Sequence, residues 1–292
     1  MKPAPFGYER PGSVDEAVSI LADVGYGAKI LSGGQSLVPL LNLRLAFPEV
    51  LVDVTRIPDL GYVAEDGETV RVGALVTQAE FGASGLAMTR VPIATQVIPH
   101  IGHFVTRNQG TVAGSLAHAD SRGELPVALT ALEGAVTVAS SRGRREISAD
   151  EFFISDFTTS MTDDEMLVES AWPAAKPGWG FAFSEFALRH GDYALVMIAV
   201  TLYVSEGVVQ QARVVAGSVA PRPLVLAEMS EILIGRAVDE SAVAACRAAS
   251  VSAVSPDADI HASSEYKRHL TGVLVEKTIR SAWLNATGDA HA

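Results

Sequence analysis

A single cysteine, Cys246, occurs in 292 residues. One thiol makes no internal disulfide, no thiolate zinc site and no iron–sulfur cluster. Cys246 sits in the alanine-rich stretch from Val243 to Ala249, where a buried helical thiol is the expected role. Cations are also scarce: 22 Lys and Arg face 34 Asp and Glu, a formal charge of −12. That balance argues against nucleic acid or an anionic membrane as the main partner, since both need clustered basic residues. The densest basic run, Arg142-Gly143-Arg144-Arg145, is short and falls where a hairpin turn is expected, so it reads as a solvated surface feature. No apolar run is long enough to span a bilayer, and the longest, Ala194 to Val204, is rich in β-branched residues. Met1 to Phe6 has no apolar signal core, so the cytoplasm is the expected compartment. With 48% hydrophobic and 19% charged residues, the chain is an ordered globular one.

The first sixty residues read as α/β. Ser13-Val14-Asp15-Glu16 predicts a capping box, and Ala17, Val18, Leu21 and Val24 continue an apolar helical stripe. Lys29 to Leu31 reads as a buried strand, and Val50 to Val54 as a second. From about residue 60 a new unit begins, with a strand over Thr69–Gly73 and a capping box at Thr77-Gln78-Ala79-Glu80. Helices are predicted over Val91–Ile101 and Leu125–Leu132, then a hairpin joining Ala135–Ala139 to Glu146-Ile147. Ala171 to Gly178, with two prolines, is the linker candidate. Long β runs follow over Phe181–Leu188, Ala194–Val204 and Val208–Val219, and the last seventy residues are helical. Strands followed by helices predict an α+β unit.

Two glycine-bearing segments carry the chemistry: Ser32-Gly33-Gly34-Gln35-Ser36 and Thr111-Val112-Ala113-Gly114-Ser115. Glycine admits positive φ and close backbone approach, and successive exposed amides form a concavity suited to phosphate oxygens. A lone Gly-Gly pair more often merely reverses the chain. Two such segments suit the two ends of a long phosphate-bearing cofactor. His103 and His118 fit no metal-ligand spacing and read as neutral structural residues, so no metal site is predicted.

Longer motifs surround these segments. Leu31 to Pro39 is followed by Leu43-Arg44-Leu45, and Ile101-Gly102-His103 by Arg107 to Asp120. Arg189 to Ala194 and Tyr266 to Leu270 complete the set. In this order, over essentially the whole length, they resemble the FAD-binding medium subunit of molybdenum hydroxylases, the carbon monoxide dehydrogenase and xanthine dehydrogenase group.

The resemblance implies an α+β fold: a two-lobed PCMH/VAO-type FAD-binding domain over residues 1–176, with lobes at about 1–58 and 59–176. A smaller C-terminal domain over 177–292, an antiparallel sheet plus helices, is implied after it. It implies that Ser32, Gly33, Gly34, Gln35 and Ser36, flanked by Leu31 and Leu37, wrap the FAD pyrophosphate together with Thr111, Val112, Ala113, Gly114 and Ser115. The wrapping would be chiefly through backbone amides. Asp120 would meet cofactor hydroxyls (otherwise it reads as a helix N-cap), Leu167 would line the adenine end, and Tyr193 would shield the isoalloxazine. The bland alternatives for Leu167 and Tyr193 are core strand positions.

The implied activity is that of an oxidoreductase subunit, with no acid–base catalyst in this chain. Electrons would arrive from a small subunit with two 2Fe-2S clusters, fed by a large molybdopterin subunit, in an assembly of two copies of each of three subunits. FAD would pass them to an external acceptor. Three departures from the family pattern stand out: Ala113 where glycine is common, Gln109 for a frequent arginine, and Ser121-Arg122 for Pro-Ala. Ala113 and Gln109 keep open a flavin-free assembly subunit, beside a self-contained NADH-oxidising flavoprotein.

Overall fold

The computed structural model describes residues 2–288. Strands β1 (Gly7–Glu9), β2 (Ala28–Leu31) and β3 (Val50–Asp53) form a parallel sheet in the order β1-β3-β2. Helix α1 (Val14–Val24) connects β1 to β2 and buries Ala17, Val18 and Leu21, the stripe its spacing predicts. Ser13 caps it, its Oγ accepting from the Glu16 amide at 3.2 Å. The box is not reciprocal, however: the Glu16 carboxylate accepts from the Gly12 amide, 2.7 Å away, one residue before the cap. Beyond β2 the chain turns through residues 32–36 into α2 (Leu37–Asn42).

The second lobe is an antiparallel sheet of order β4-β5-β10-β6-β7, made by β4 (Val63–Asp66), β5 (Thr69–Gly73), β6 (Ala135–Ser140), β7 (Gly143–Ser148) and β10 (Met166–Pro173). A separate small ladder pairs β8 (Phe153–Ser155) with β9 (Thr158–Thr159). Between β5 and β6 run α3 (Gln78–Ala83), α4 (Gly85–Arg90), α5 (Pro92–Val97), α6 (Phe104–Arg107), α7 (Val112–His118) and α8 (Glu124–Ala131); α9 (Ala149–Phe152) follows β7. At α3 the capping box is reciprocal, Thr77 Oγ1 accepting from the Glu80 amide (3.1 Å) and Glu80 accepting from the Thr77 amide (2.8 Å). The helix expected to reach Ile101 stops at Val97 and tightens into a 3₁₀ turn over Ile98–His100. Pro99 has no N–H to continue the α ladder.

The linker is shorter than its composition predicts. Ala171, Trp172 and Pro173 are paired strand residues of β10, and Trp172 is fully buried with its ring 5.4 Å from that of Phe81. Its indole N–H donates to Ser170 Oγ at 2.9 Å. Pro173 is tolerated because it ends the strand.

The C-terminal sheet is antiparallel, in the order β11 (Trp179–Phe186), β12 (Val196–Ser205), β13 (Val208–Gly217), β14 (Leu224–Val225). Three helices cover one face: α10 (Ala227–Leu233), α11 (Glu240–Ala253) and α12 (Ser264–Thr287). The unbroken apolar run of β12 has a simple cause. Met197 and Ala199 pack into the core of the FAD-side unit, while Val196, Ile198, Val200 and Leu202 pack with the helices. A strand covered on both faces has no polar side to alternate. Helix α12 lies against β11 so closely that a Cβ on Gly180 would come within 1.9 Å of the Ala282 carbonyl oxygen. Cys246 is fully buried in this core, and burial raises its thiol to about 11, as the alanine-rich helix predicts.

Candidate functional site

A cleft of about 750 Å³ lies between the lobes, walled by the β2–α2 turn, by α7, by residues 157–167, and at one end by Gly191–Tyr193 of the C-terminal domain. The two glycine segments meet in it. Ser32 Oγ and Thr111 Oγ1 are 3.1 Å apart, so a hydroxyl pair ties the segments together across the domain. Gly33 is pressed against the second segment's approach: a Cβ there would lie 2.2 Å from the Gln109 carbonyl oxygen and 2.8 Å from Gly110 Cα. Gly34 has φ +69°, the left-handed region that favours glycine.

The segments differ in what they offer. Among the described residues, nothing accepts from the amides of Gly33, Gly34, Gln35 or Ser36, four donors in succession. The second segment is a helix start rather than a free turn. Thr111 is the N-cap of α7, its Oγ1 accepting from the Gly114 amide at 3.0 Å. The Val112 amide donates to Val76 O and that of Ser115 to Thr111 O, leaving only those of Thr111 and Ala113 without an acceptor. The expectation that both segments act mainly through open amide runs is corrected accordingly.

Two named residues are not in the cleft wall. The Leu31 side chain packs beneath Gly34, and Val112 is fully buried in the core. Ser32 to Leu37, Thr111, Ala113, Gly114 and Ser115 do line it, as do Asp120, Leu167 and Tyr193. Leu167 stands beside a bulge in β10, between its pairings at Leu167 and Glu169, and is 6% exposed. The departures are accommodated. Ala113 is absent from the positive-φ positions, so its methyl sits on ordinary helical backbone at the first turn of α7. At Gln109 the contact with Gly33 is made by the main-chain carbonyl, which any residue supplies.

Asp120 is buried and caps no helix; Gly123 holds the N-cap position of α8. Its Oδ1 accepts from the Arg122 amide (3.0 Å) and Nε (3.2 Å), and its carboxylate accepts from the Tyr193 hydroxyl. Arg122 in turn lies 4.4 Å from the centre of the Tyr193 ring. Burial, then the Asp120 charge and hydrogen bond, push the Tyr193 phenol up to about 12. Tyr193 is not a strand residue: β12 begins at Val196, and the ring is 54% exposed on the loop before it. Arg122, in the pair that departs from the family pattern, thus covers the aromatic.

Several site residues gave no sequence signal. Gln78 follows the α3 cap and is buried in the wall with Oε1 unpartnered. Lys29 brings a cation to the cleft, 4.8 Å over the Tyr26 ring. Glu124 reads in sequence as an ordinary acidic first-turn residue, yet it is 6% exposed and burial raises it to about 8. The basic hairpin is also more than a solvated turn. Arg145 makes paired 2.7 Å contacts to Glu165, and Arg142 pairs with Asp164, so the run anchors a segment of the cleft wall. His118 packs at a tilt against Phe157 (5.0 Å between centres), and burial lowers its pKa, favouring the neutral ring. Among the described residues no group of His, Cys, Asp and Glu is arranged to hold a metal.

Comparison with known proteins gives the same picture over the whole chain. Residues 4–175 match the FAD binding domain in molybdopterin dehydrogenase, and residues 181–282 the CO dehydrogenase flavoprotein C-terminal domain. The chain is 39% identical to the 6-hydroxypseudooxynicotine dehydrogenase complex subunit alpha of Paenarthrobacter nicotinovorans, over 97% of this chain and 96% of that one. It is 33% identical to the carbon monoxide dehydrogenase medium chain of Hydrogenophaga pseudoflava, over 97% and 99%. The carbon monoxide dehydrogenase structure from Hydrogenophaga pseudoflava superposes with a TM-score of 0.95 at 34% identity, covering 98% of this chain and 99% of the matched one. Quinoline 2-oxidoreductase from Pseudomonas putida 86 gives 0.93 at 35% identity, covering 98% and 99%. The chain therefore belongs to the FAD-binding medium subunits of the molybdenum hydroxylases.

Proposed function

We propose that the cleft between the lobes holds FAD, with the pyrophosphate on the four open amides of Gly33 to Ser36. That run carries the reading: successive unpaired N–H groups neutralise an anion without a cation. Thr111, Ala113, Gly114 and Ser115 close the second side, Ala113 and Thr111 each with one free amide. Leu31 and Val112 support from behind. Asp120 and Arg122 hold Tyr193 at the flavin end, and Leu167 lines the adenine end. When bound, FAD supplies the redox chemistry; the chain positions it and excludes solvent. Residues 1–176 form the FAD domain (lobes 1–58 and 59–176) and 177–292 the C-terminal domain.

In this reading the chain takes electrons from a small subunit with two 2Fe-2S clusters and passes them to an external acceptor. A large molybdopterin subunit hydroxylates the substrate and sets its identity, in an assembly of two copies of each of three subunits. The single cysteine fits a reducing, cytoplasmic compartment.

The test begins with the absorption spectrum of the purified chain and identification of the released chromophore. Reconstitution with both partner subunits then follows flavin reduction by substrate. A flavin that stays oxidised while the clusters reduce would sink the electron-transfer role. Rapid anaerobic bleaching of the isolated chain by NADH would instead favour a self-contained enzyme.

A further inference from the structure

Gln78 is the first helical residue of α3, and its backbone is pinned from both sides. The reciprocal Thr77–Glu80 box fixes the residue before it, which also bridges to Thr111, and the Gln78 amide donates to Gly110 O at 2.8 Å. The chain therefore delivers the Gln78 side chain to the approach of the second glycine segment. A Cβ on Gly110 would lie 3.3 Å from Gln78 Oε1 and 3.0 Å from Thr106 O. The Cα of this same Gly110 is 2.8 Å from where a Cβ on Gly33 would stand. Gly110 is thus a one-residue spacer between the Gln78 carboxamide and the first of the four open amides.

No protein group accounts for the carboxamide. Gln78 is 5% exposed and lines the cleft, yet its side chain makes no hydrogen bond to a described residue. A buried amide left unpaired is costly, and native chains rarely keep one without a use. An apolar side chain would fill the same space without that cost. Oε1 is sealed, whereas Nε2 is not, so the donor end is the one the cleft reaches. Among the described wall residues Lys29 is the only Lys or Arg, and it is engaged over the Tyr26 ring. An anion in this cleft is therefore met chiefly by neutral donors.

We propose that Gln78 is a further cofactor-binding residue, its side-chain Nε2–H donating to a phosphoryl oxygen of the pyrophosphate beside the open amide of Gly33. The proposal rests on the flavin reading above and extends the cradle from main-chain donors to a side chain of a third segment. The group is neutral, so it adds a donor without adding a charge. Its oxygen lies against Gly110, where the missing side chain leaves room for it. The free chain bears the cost of the unpaired donor, and the bound cofactor relieves it. Removing the amide then moves stability and affinity in opposite directions, which a packing role does not do.

The experiment compares the full FAD-free chain with Gln78→Met, an unbranched apolar side chain of similar length. Calorimetry gives the Tm, and titrations with FAD, ADP and riboflavin give the affinities. ADP carries the pyrophosphate without the flavin, and riboflavin the flavin without the pyrophosphate. Gln78→Met should hold or raise the Tm of the free chain while weakening FAD and ADP by about tenfold or more, with riboflavin unaffected. Gln78→Glu keeps the shape but sets an anion against the phosphate, and should weaken both further. A loss of affinity matched by a fall in the free chain's Tm would overturn the contact, since packing alone explains it. Weakening of riboflavin without ADP would also overturn it, by moving the amide to the flavin. If the unaltered chain binds neither FAD nor ADP, the flavin reading fails and the contact falls with it. If it binds both, and Gln78→Met binds them equally well, only the Gln78 contact fails.

Discussion

The two glycine segments look alike in sequence and behave differently in the fold. Residues 33–36 leave four consecutive amides unbonded, because the chain has left β2 and not yet entered the ladder of α2. Residues 111–115 spend most of theirs: Thr111 Oγ1 caps the Gly114 amide, and the Val112 amide bonds to Val76. One segment is thus a donor surface, and the other a fixed wall against which it is braced through Ser32–Thr111 and Gly33–Gln109. Glycine content alone does not make an anion cradle; the donors must be left unspent.

The sharpest break of this contrast is Gly33→Ala. A methyl 2.2 Å from a backbone oxygen cannot be relieved by a side-chain rotation, so the turn must separate from residues 109–110. We expect a chain destabilised by about 3 kcal/mol and without bound FAD, scored by calorimetry and by the 450 nm absorbance, roughly the band of any oxidised flavin. Purification of Gly33→Ala with full FAD would refute the brace.

Next in size is a pH effect that neither segment produces. Glu124 is raised above its unfolded value of 4.5 to about 8, so its contribution is fully present below pH 4.5 and is lost as pH rises through 8. Denaturant unfolding should show a contribution of a few kcal/mol falling across that window, and Glu124→Gln should flatten it. An unchanged slope in the variant would show that another group is responsible.

Thr111→Ala removes a cap and the tie to Ser32 together, at an expected cost of about 1–2 kcal/mol, with FAD retained more weakly. Thr111→Ser should restore most of both. Equal loss in Ser would mean that the methyl, not the hydroxyl, matters. Smallest is Ala113→Gly, which restores the common family residue. Because Ala113 has ordinary helical φ, we expect a loss of up to about 1 kcal/mol and unaltered FAD content. A large gain in FAD affinity would show that the methyl obstructs the site.

Much of this was legible in the chain. The stripe Ala17-Val18-Leu21 and the box at Thr77-Glu80 are local, and local chemistry fixes them. The motifs around Ser32 and Thr111 meet in one cleft. For Tyr193 the alternative of a core strand position arises because it adjoins an apolar run, whereas the loop status of residues 191–193 depends on Gly191 packing under Gly102 and His103, far away in sequence. Trp172 falls in the linker candidate because two prolines follow it; its burial against Phe81 is decided by a partner 91 residues earlier. Glu124 carried no signal at all, since an acid in a first helical turn is ordinary.

The sequence by itself determined the family, the two-part α+β architecture and the absence of a thiolate metal site, because these follow from motif order, periodicity and a count of one cysteine. Only the tertiary structure decided which amides stay free, which residues close the cleft, and that the Glu124 carboxyl is buried. Hydrogen-bond vacancy and desolvation belong to neighbours brought together by folding, and neither is written in any one segment of the chain.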